Sequence, residues 1–157
     1  MSRVTIKKQI AASPAVAFAR ATDLARAPQV MSGIVGLEVL TPGPVGVGTR
    51  FRETRRMFNR EATEEMTITR FEAPSCYVVE CVSCGCRYES VFHFAPHAVG
   101  CEVSMEVSAE GLTPFARILG RMMGPILLKS CAQACEADLD DLKRALEGRA
   151  TPVAARA

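Results

Sequence analysis

The feature that most constrains this fold is a two-residue hydrophobic alternation that runs from residue 50 to residue 109. Alternating residues lie on opposite faces of a β-strand, so this long segment predicts several antiparallel strands that share one apolar face. The last strand shows the pattern clearly, because Cys101, Val103 and Met105 alternate with Glu102 and Ser104. A sheet with one apolar face needs a covering layer, and that requirement restricts the rest of the chain.

Two further strands and two short helices are predicted before this segment. Residues 3–10 alternate, and residues 34–40 are rich in β-branched side chains. Between them, Ser13-Pro14 is typical of a helix start, since serine caps and proline suits the first helical position. We therefore expect one short helix over 14–22 and a second one capped by Asp23.

The covering layer is expected to be a long C-terminal helix. It begins at Thr113-Pro114 and ends near Gly148, and Pro125 is expected to kink it. The residues expected to form its buried apolar stripe are Phe115, Ile118, Leu119, Met122, Ile126, Cys131, Cys135, Leu139, Leu142 and Leu146. The acidic side chains of Glu136, Asp138, Asp140 and Asp141 are expected on the exposed side.

The hydrophobic pattern also predicts how two hairpins pair. A turn at Asn59-Arg60 sets four pairs opposite one another: Met57 and Ala62, Arg55 and Glu64, Glu53 and Met66, and Phe51 and Ile68. A second turn at Cys84-Gly85 sets another three: Tyr77 and Phe92, Val79 and Ser90, and Cys81 and Tyr88.

Composition argues against several classes of function. The 157 residues carry 19 basic and 17 acidic side chains and no tryptophan, which gives no general attraction to nucleic acid and a poor stacking platform. The N-terminal residues do not read as a signal peptide, and no apolar stretch is long enough to span a bilayer. We therefore expect a cytoplasmic location, reduced thiols among the seven cysteines, no nucleic-acid partner and no integral membrane contact.

Three segments and the terminal helix together resemble a known family. They are Ser13-Pro14, the stretch LTPGPVGVGTRF at residues 40–51, and Phe71-Glu72-Ala73-Pro74. In their order and spacing they resemble the START-like, polyketide cyclase/dehydrase (SRPBCC) superfamily over residues 2–147. The resemblance implies an α+β helix-grip fold, with a curved antiparallel sheet of about seven strands around the long helix and a deep cavity between them. We expect one such domain over residues 1–148 and a disordered tail over residues 149–157.

The inward face of this fold supplies the candidate ligand-binding residues. They are Phe51, Glu53, Arg55, Met57, Glu64, Met66, Ile68, Val79, Tyr88, Ser90, Phe92, Val103, Met105, Phe115, Leu119, Met122 and Met123. Periodicity alone favours a solid core, whereas the resemblance favours a cavity.

The charged residues on this inward face have two readings. Glu53, Arg55 and Glu64 interrupt an otherwise apolar wall, and buried charges require partners. Either Arg55 pairs structurally with Glu64, or it orients an acidic ligand while Glu53 acts as a general base.

No cofactor or metal ion is expected. Cys81, Cys84 and Cys86 supply three sulfurs at most, and strand parity places Cys81 and Cys84 on opposite faces. His93 is expected to point outward and His97 to lie in a turn, so no histidine-based acid–base pair is indicated.

The favoured function is binding or transport of a small hydrophobic ligand, such as a lipid or polyketide, in an internal cavity. The first alternative is a polyketide cyclase or dehydratase that uses Arg55, Glu53 and Tyr88. The second is an interaction module with a vestigial cavity. The expected partner is a small hydrophobic molecule, and a homodimer stays open.

Overall fold

The structure is a computed structural model that describes residues 2–57 and 59–148. Its elements are β1 (Ser2–Ile10), α1 (Pro14–Ala21), a 3₁₀ turn (Leu24–Arg26), α2 (Ala27–Val30), β2 (Ile34–Val39), β3 (Arg50–Met57), β4 (Arg60–Glu72), β5 (Cys76–Ser83), β6 (Cys86–His97), β7 (Gly100–Gly111) and α3 (Pro114–Glu147). The predicted disordered tail, residues 149–157, lies outside the described residues.

The seven strands form one antiparallel sheet in the order β1-β7-β6-β5-β4-β3-β2. Strands β2 to β7 are joined in sequence as neighbours, whereas β1 pairs with β7 at the far edge. The chain therefore crosses from one edge of the sheet to the other through α1, the 3₁₀ turn and α2. With α3 lying across the curved sheet, the fold is the α+β helix-grip architecture that the sequence predicted.

The β3–β4 register differs from the predicted one by two residues. Met57 pairs with Arg60, so Arg55 lies opposite Ala62 and Glu53 lies opposite Glu64. Phe51 lies opposite Met66, so all four predicted pairs are wrong. The cause is the turn, which starts one residue earlier than expected, with Asn59 at a positive φ of 59°. Because the shift is even, every side chain keeps its predicted face.

The β5–β6 hairpin has the predicted register. Tyr77 lies opposite Phe92 and Cys81 opposite Tyr88, and the turn residues Cys84 and Gly85 both have positive φ. Positive φ at both central positions is the geometry of a two-residue turn whose twist matches the flanking strands. Strand β6 continues to His97, which therefore does not lie in the predicted turn.

Two of the three predicted helix caps form. The hydroxyl of Ser13 accepts a hydrogen bond from the Val16 amide, and that of Thr113 accepts one from the Ala116 amide. Asp23 makes no capping bond, because its carboxylate lies 3.6 Å from the Nε of Arg26 instead.

The main core lies between the sheet and the C-terminal half of α3. Cys135, Leu139, Leu142 and Leu146 are buried there against side chains of α1, β1, β6 and β7. Phe18 of α1 packs edge-on against three aromatic rings of the sheet: those of Phe71, Tyr77 and Phe94. For these four residues the predicted apolar stripe is confirmed.

The N-terminal half of α3 is rotated relative to our prediction. Phe115, Met122 and Ile126 were expected to be buried but are 74%, 76% and 66% exposed, and Ile118 and Leu119 are exposed with them. Helical phase explains the error. The helix runs unbroken through Pro125, and Cys131 follows Ile126 by five residues, which is about 1.4 turns and so leaves the two residues on different sides of the helix. The two halves of the stripe therefore point in different directions, and only one of them faces the sheet.

The contrast between the two halves predicts different costs of truncation. Leu142 is 1% exposed, so Leu142→Ala should lower the free energy of unfolding by about 2–5 kcal/mol, through lost burial and a residual cavity. The matched control Leu119→Ala, on the exposed half, should change it by about 0.5 kcal/mol or less. Denaturant unfolding of both variants measures the difference. Equal losses would mean that the helix is rotated from the position described.

Candidate functional site

A cavity of about 970 Å³ lies between the sheet and the N-terminal half of α3. Its walls come from the inward faces of β3 to β7, from the segment around α2, and from one side of α3. Apolar side chains make up most of this surface, and a few polar groups interrupt it. A site of this composition can take up a molecule that is largely apolar.

Small residues on α3 create this space. Ala116, Gly120 and Gly124 line the cavity, and Gly124 precedes Leu142 by about five full turns, so both face the sheet. A Cβ atom added to Gly120 would meet no atom within 4 Å. The C-terminal half of α3 therefore fills its side of the sheet with leucines, whereas the N-terminal half leaves its side open.

Twelve of the seventeen predicted site residues line the cavity. They are Phe51, Glu53, Arg55, Met57, Glu64, Met66, Ile68, Val79, Tyr88, Ser90, Phe92 and Met105. Their convergence follows from strand parity, which the sequence defines well. Whether they contact a ligand stays a prediction.

The other five predicted residues do not line the cavity. Val103 is fully buried in the solid core beneath the C-terminal half of α3. Phe115, Leu119, Met122 and Met123 are exposed on α3, and none of them is among the cavity-lining residues. These four residues miss the cavity because the N-terminal half of α3 is rotated relative to our prediction.

Arg55 joins two buried carboxylates at one end of the cavity. Its Nε donates to Oε1 of Glu53 at 2.7 Å. Its Nη1 and Nη2 donate to Oδ1 and Oδ2 of Asp138 at 3.1 and 2.8 Å, which is a two-pronged pair. The predicted partner Glu64 is wrong, because the true register places Glu64 opposite Glu53 instead. The guanidinium is therefore already bound on both sides by the protein.

The loop before β2 accommodates this arginine and ties it to α3. A Cβ atom on Gly33 would lie 3.2 Å from Nη1 of Arg55, so glycine leaves the room that the guanidinium occupies. Next to it, the amide and hydroxyl of Ser32 both donate to Oδ2 of Asp141, at 2.8 and 2.7 Å. Asp138 and Asp141 thus link α3 to β3 and to this loop.

Burial dominates the electrostatics of this cluster. Burial raises the pKa of Glu53 and of Asp138, and the nearby Arg55 charge offsets part of that rise. Burial acts to lower the pKa of Arg55, but the charges and hydrogen bonds of Asp138 and Glu53 outweigh it and raise that pKa. Because the two carboxyl groups share one cation, Glu53 and Asp138 each bind a proton more readily here than they would in water.

A second polar group of side chains lies on β4, β5 and β6. Oε2 of Glu64 lies 3.6 Å from Sγ of Cys81, and burial, with Glu64 adding to it, raises the pKa of that thiol to about 11. Burial and the neighbouring Cys86 raise the pKa of Tyr88 to about 12. At neutral pH both groups are protonated and act as hydrogen-bond donors.

Two thiols of α3 also reach the cavity. Sγ of Cys131 lies 4.0 Å from Sγ of Cys135, one helical turn away, and both residues line the wall. The hydrogen bond from Cys135 lowers the pKa of Cys131 to about 7, and the same contact raises the pKa of Cys135. Core packing, which we predicted for both, describes Cys135, whereas Cys131 is only half-buried.

The most important residue that sequence reasoning missed is Asp138. We placed Asp138 and Asp141 on the exposed side of the last helix, and both are buried. Asp138 follows Cys135 by three residues and precedes Leu142 by four, which puts all three on one helical face. That spacing was visible in the sequence, but an acidic run on a helix is normally solvated. The cavity-lining Tyr77 and Ser108, and the arginines Arg117 and Arg121 of α3, were also not among our candidates.

The described residues contain no arrangement of three or more histidine, cysteine or acidic side chains able to hold a metal ion. Cys81 is buried on the cavity face, whereas Cys84 lies exposed in the hairpin turn. Within the same part of the chain, no helix is both long enough and apolar enough to cross a membrane.

The Arg55 cluster predicts a pH-dependent loss of stability. Near neutral pH, Arg55→Met should lower the free energy of unfolding by about 3–5 kcal/mol, because Glu53 and Asp138 are left buried without a cation. The loss should shrink as the pH falls toward about 5, since both carboxyl pKa values are raised and a protonated carboxyl needs no cationic partner.

The control for this variant is Arg56→Met on the opposite face of β3. Arg56 forms an exposed ion pair with Glu61, so its loss should change stability by about 1 kcal/mol or less. Denaturant unfolding across this pH range compares the two variants. If Arg55→Met were as mild as Arg56→Met at every pH, the cluster would not stabilise the fold.

Comparison with solved structures identifies the architecture. The chain is similar to the crystal structure of TTHA0849 from Thermus thermophilus, with 19% identity and a TM-score of 0.78, covering 95% of this chain and 99% of that one. A START superfamily protein from Mycobacterium smegmatis matches with 16% identity and a TM-score of 0.73, covering 95% and 99%. At these identities the likeness concerns the fold alone.

Another similar structure is a two-domain protein. The di-domain ARO/CYC protein StfQ from the steffimycin biosynthetic pathway has 14% identity and a TM-score of 0.75. The match covers 94% of this chain and 52% of StfQ, so this chain spans about half of that protein. Among curated proteins, none matches the chain in sequence.

A family profile matches nearly the whole chain. It is the one described as polyketide cyclase / dehydrase and lipid transport, and it aligns with residues 1–147. The match includes every strand of the sheet and all of α3. The chain belongs to this polyketide cyclase/dehydrase and lipid transport family.

Proposed function

We propose that this protein binds a small, mostly apolar molecule in the cavity between the sheet and the N-terminal half of α3. The observation that carries the proposal is the cavity itself, about 970 Å³ in volume and lined mainly by apolar side chains. Ligand sites in proteins typically occupy about 300–1,000 Å³. A space of this size does not favour the alternative of an interaction module with a vestigial cavity.

The origin of the space supports the same proposal. A helix of this length that served only to close a core would be expected to direct its large side chains at the sheet. In α3, Ala116, Gly120 and Gly124 face the sheet, although glycine costs about 1 kcal/mol relative to alanine within a helix. The glycines that keep the cavity open therefore make the helix locally less stable.

The polar groups restrict the chemistry of the ligand. Glu53 and Glu64 lie opposite each other on β3 and β4 and both line the cavity, so this end is acidic and rich in acceptors. Arg55 is held by Glu53 and Asp138, and it positions those carboxylates instead of capturing an acidic ligand. We therefore propose a ligand whose apolar body carries a hydroxyl or another hydrogen-bond donor directed at this end.

Filling the cavity from α3 tests this proposal. Gly120→Leu places a large side chain into space where an added Cβ meets nothing within 4 Å, and leucine favours the helix more than glycine does. The variant should remain folded and bind an apolar, environment-sensitive dye such as Nile red about tenfold more weakly or worse.

Gly46→Leu is the matched control, because an added Cβ there also meets nothing within 4 Å but Gly46 does not line the cavity. Fluorescence titration should show wild-type affinity in this variant. Equal dye binding by wild type and Gly120→Leu would place the binding site elsewhere.

A specific observation also favours a second candidate, acid–base catalysis on a polyketide-like substrate. Glu53 lines the cavity with a raised pKa, and Tyr88 is a protonated donor there. In this alternative Glu53 removes a proton next to a carbonyl group, and Tyr88 donates to the oxygen on which charge develops.

Turnover separates this candidate from simple binding. If Glu53 is a general base, Glu53→Gln should abolish conversion of a poly-β-ketone thioester while it retains affinity for the dye, because the amide is nearly isosteric but cannot accept a proton at neutral pH. Product analysis by mass spectrometry measures the conversion. Wild-type protein that binds such thioesters and returns them unchanged would contradict the enzymatic candidate and leave the binding proposal intact.

A further inference from the structure

Two arginines of α3 lie at the mouth of the cavity. Arg117 and Arg121 are about one helical turn apart, and both line the cavity. Both are also exposed, as is the cavity-lining Gly120 between them. The cavity therefore opens to solvent along this stretch of the helix, and a bound molecule that reaches the opening meets these two side chains.

The end of β7 positions Arg117. Its Nε donates to the carbonyl oxygen of Gly111 at 2.9 Å, and Gly111 itself lines the cavity. A Cβ atom added to Gly111 would lie 2.9 Å from Cγ of Arg117, so glycine leaves the room that this side chain occupies. The guanidinium group is thereby held beside the opening.

The charges of these two arginines are not balanced nearby. Among residues 2–57 and 59–148, no carboxylate lies within ion-pair distance of Arg117 or Arg121. No acidic residue occurs between Glu110 and Glu136. The first turn of α3 contains no acidic side chain either, although the positive end of the helix dipole favours one there. This part of the chain therefore leaves the mouth positively charged.

The two ends of the cavity differ in charge. The end around Arg55 carries three carboxyl groups, those of Glu53, Glu64 and Asp138, whereas the mouth carries the two α3 arginines. Strands β5 and β6 separate Glu64 on β4 from Gly111 at the end of β7, which is about 14 Å along the sheet. A ligand that complements both ends has polar groups of opposite character, joined by an apolar body.

We propose that Arg117 and Arg121 bind an anionic group of the ligand, a carboxylate or a phosphate, at the mouth of the cavity. This inference rests on the proposed function and narrows the class of ligand to an anionic amphiphile. Guanidinium groups bind carboxylates and phosphates through paired, charge-assisted hydrogen bonds. Because the anionic group stays at the exposed mouth, it keeps part of its hydration while the apolar body fills the cavity.

Displacement of Nile red from the full chain tests the inference with three probes of one alkyl length. Decanoate and decyl phosphate are anionic at neutral pH, and decan-1-ol is neutral. Combining Arg117→Gln with Arg121→Gln should weaken binding of both anions by about tenfold, because charge-assisted hydrogen bonds are lost, and should change the affinity for decan-1-ol by about twofold or less. The anion that wild-type protein binds more tightly identifies the preferred group.

Two further variants control for overall charge and for misfolding. Arg60→Gln combined with Arg87→Gln removes the same charge from exposed residues that do not line the cavity, and should leave decanoate binding unchanged. Arg121→Gln alone preserves the contact between Arg117 and Gly111 and should lose part of the decanoate affinity. This single variant decides the test if the double variant misfolds.

Several results would overturn the inference while leaving the binding proposal intact. Equal losses of decanoate and decan-1-ol would mean that the arginines shape the cavity without recognising charge. Equal losses of decanoate in the mouth and control variants would assign the effect to overall charge. Wild-type protein that binds Nile red but neither anion would also contradict an anion site. Failure to bind Nile red at all would contradict the proposed function, and the inference with it.

Discussion

The phase of one continuous helix determines most of what distinguishes this molecule. Leu139 and Leu142 fix the rotation of α3 against the sheet, and about five turns earlier the same rotation directs Gly120 and Gly124 inward. Because the helix runs unbroken through Pro125, its N-terminal half cannot turn its large side chains to the sheet without withdrawing the leucines from the core. The cavity and the exposed apolar face are thus two consequences of one packing constraint.

The Arg55 cluster is the second constraint, and it works across the sheet. It joins β3 to α3 through buried charges, and the loop beside it joins α3 through Ser32 and Asp141. A buried cation between two carboxylates adds little net stability compared with apolar packing, but it penalises any arrangement that separates the three groups. We interpret it as a device that fixes the position of α3 at the boundary between filled core and open cavity. The acidic character of that end of the cavity follows from the same residues.

The sequence was sufficient for the fold and for the sheet side of the site. Strand parity has a period of two, so even the two-residue register error at the β3–β4 turn left Glu53, Arg55 and Glu64 on the inward face. The helix side was harder to predict, because the step of five residues from Ile126 to Cys131 turns the second apolar stripe about 140° away from the first. That spacing is visible in the sequence, but which of the two stripes faces the sheet is decided by packing against distant strands. Asp138 was missed for a related reason, since its burial depends on a partner, Arg55, that is 83 residues away.

If the cavity takes up a small apolar molecule, that molecule should co-purify with the protein. Native mass spectrometry of the purified protein, followed by solvent extraction and identification of whatever co-purifies, measures this. We expect a complex with one bound molecule per chain, apolar in its body and carrying a hydrogen-bond donor. Protein that stays at the mass of the bare chain across preparations, with an experimental structure whose cavity is filled by its own side chains, would contradict it.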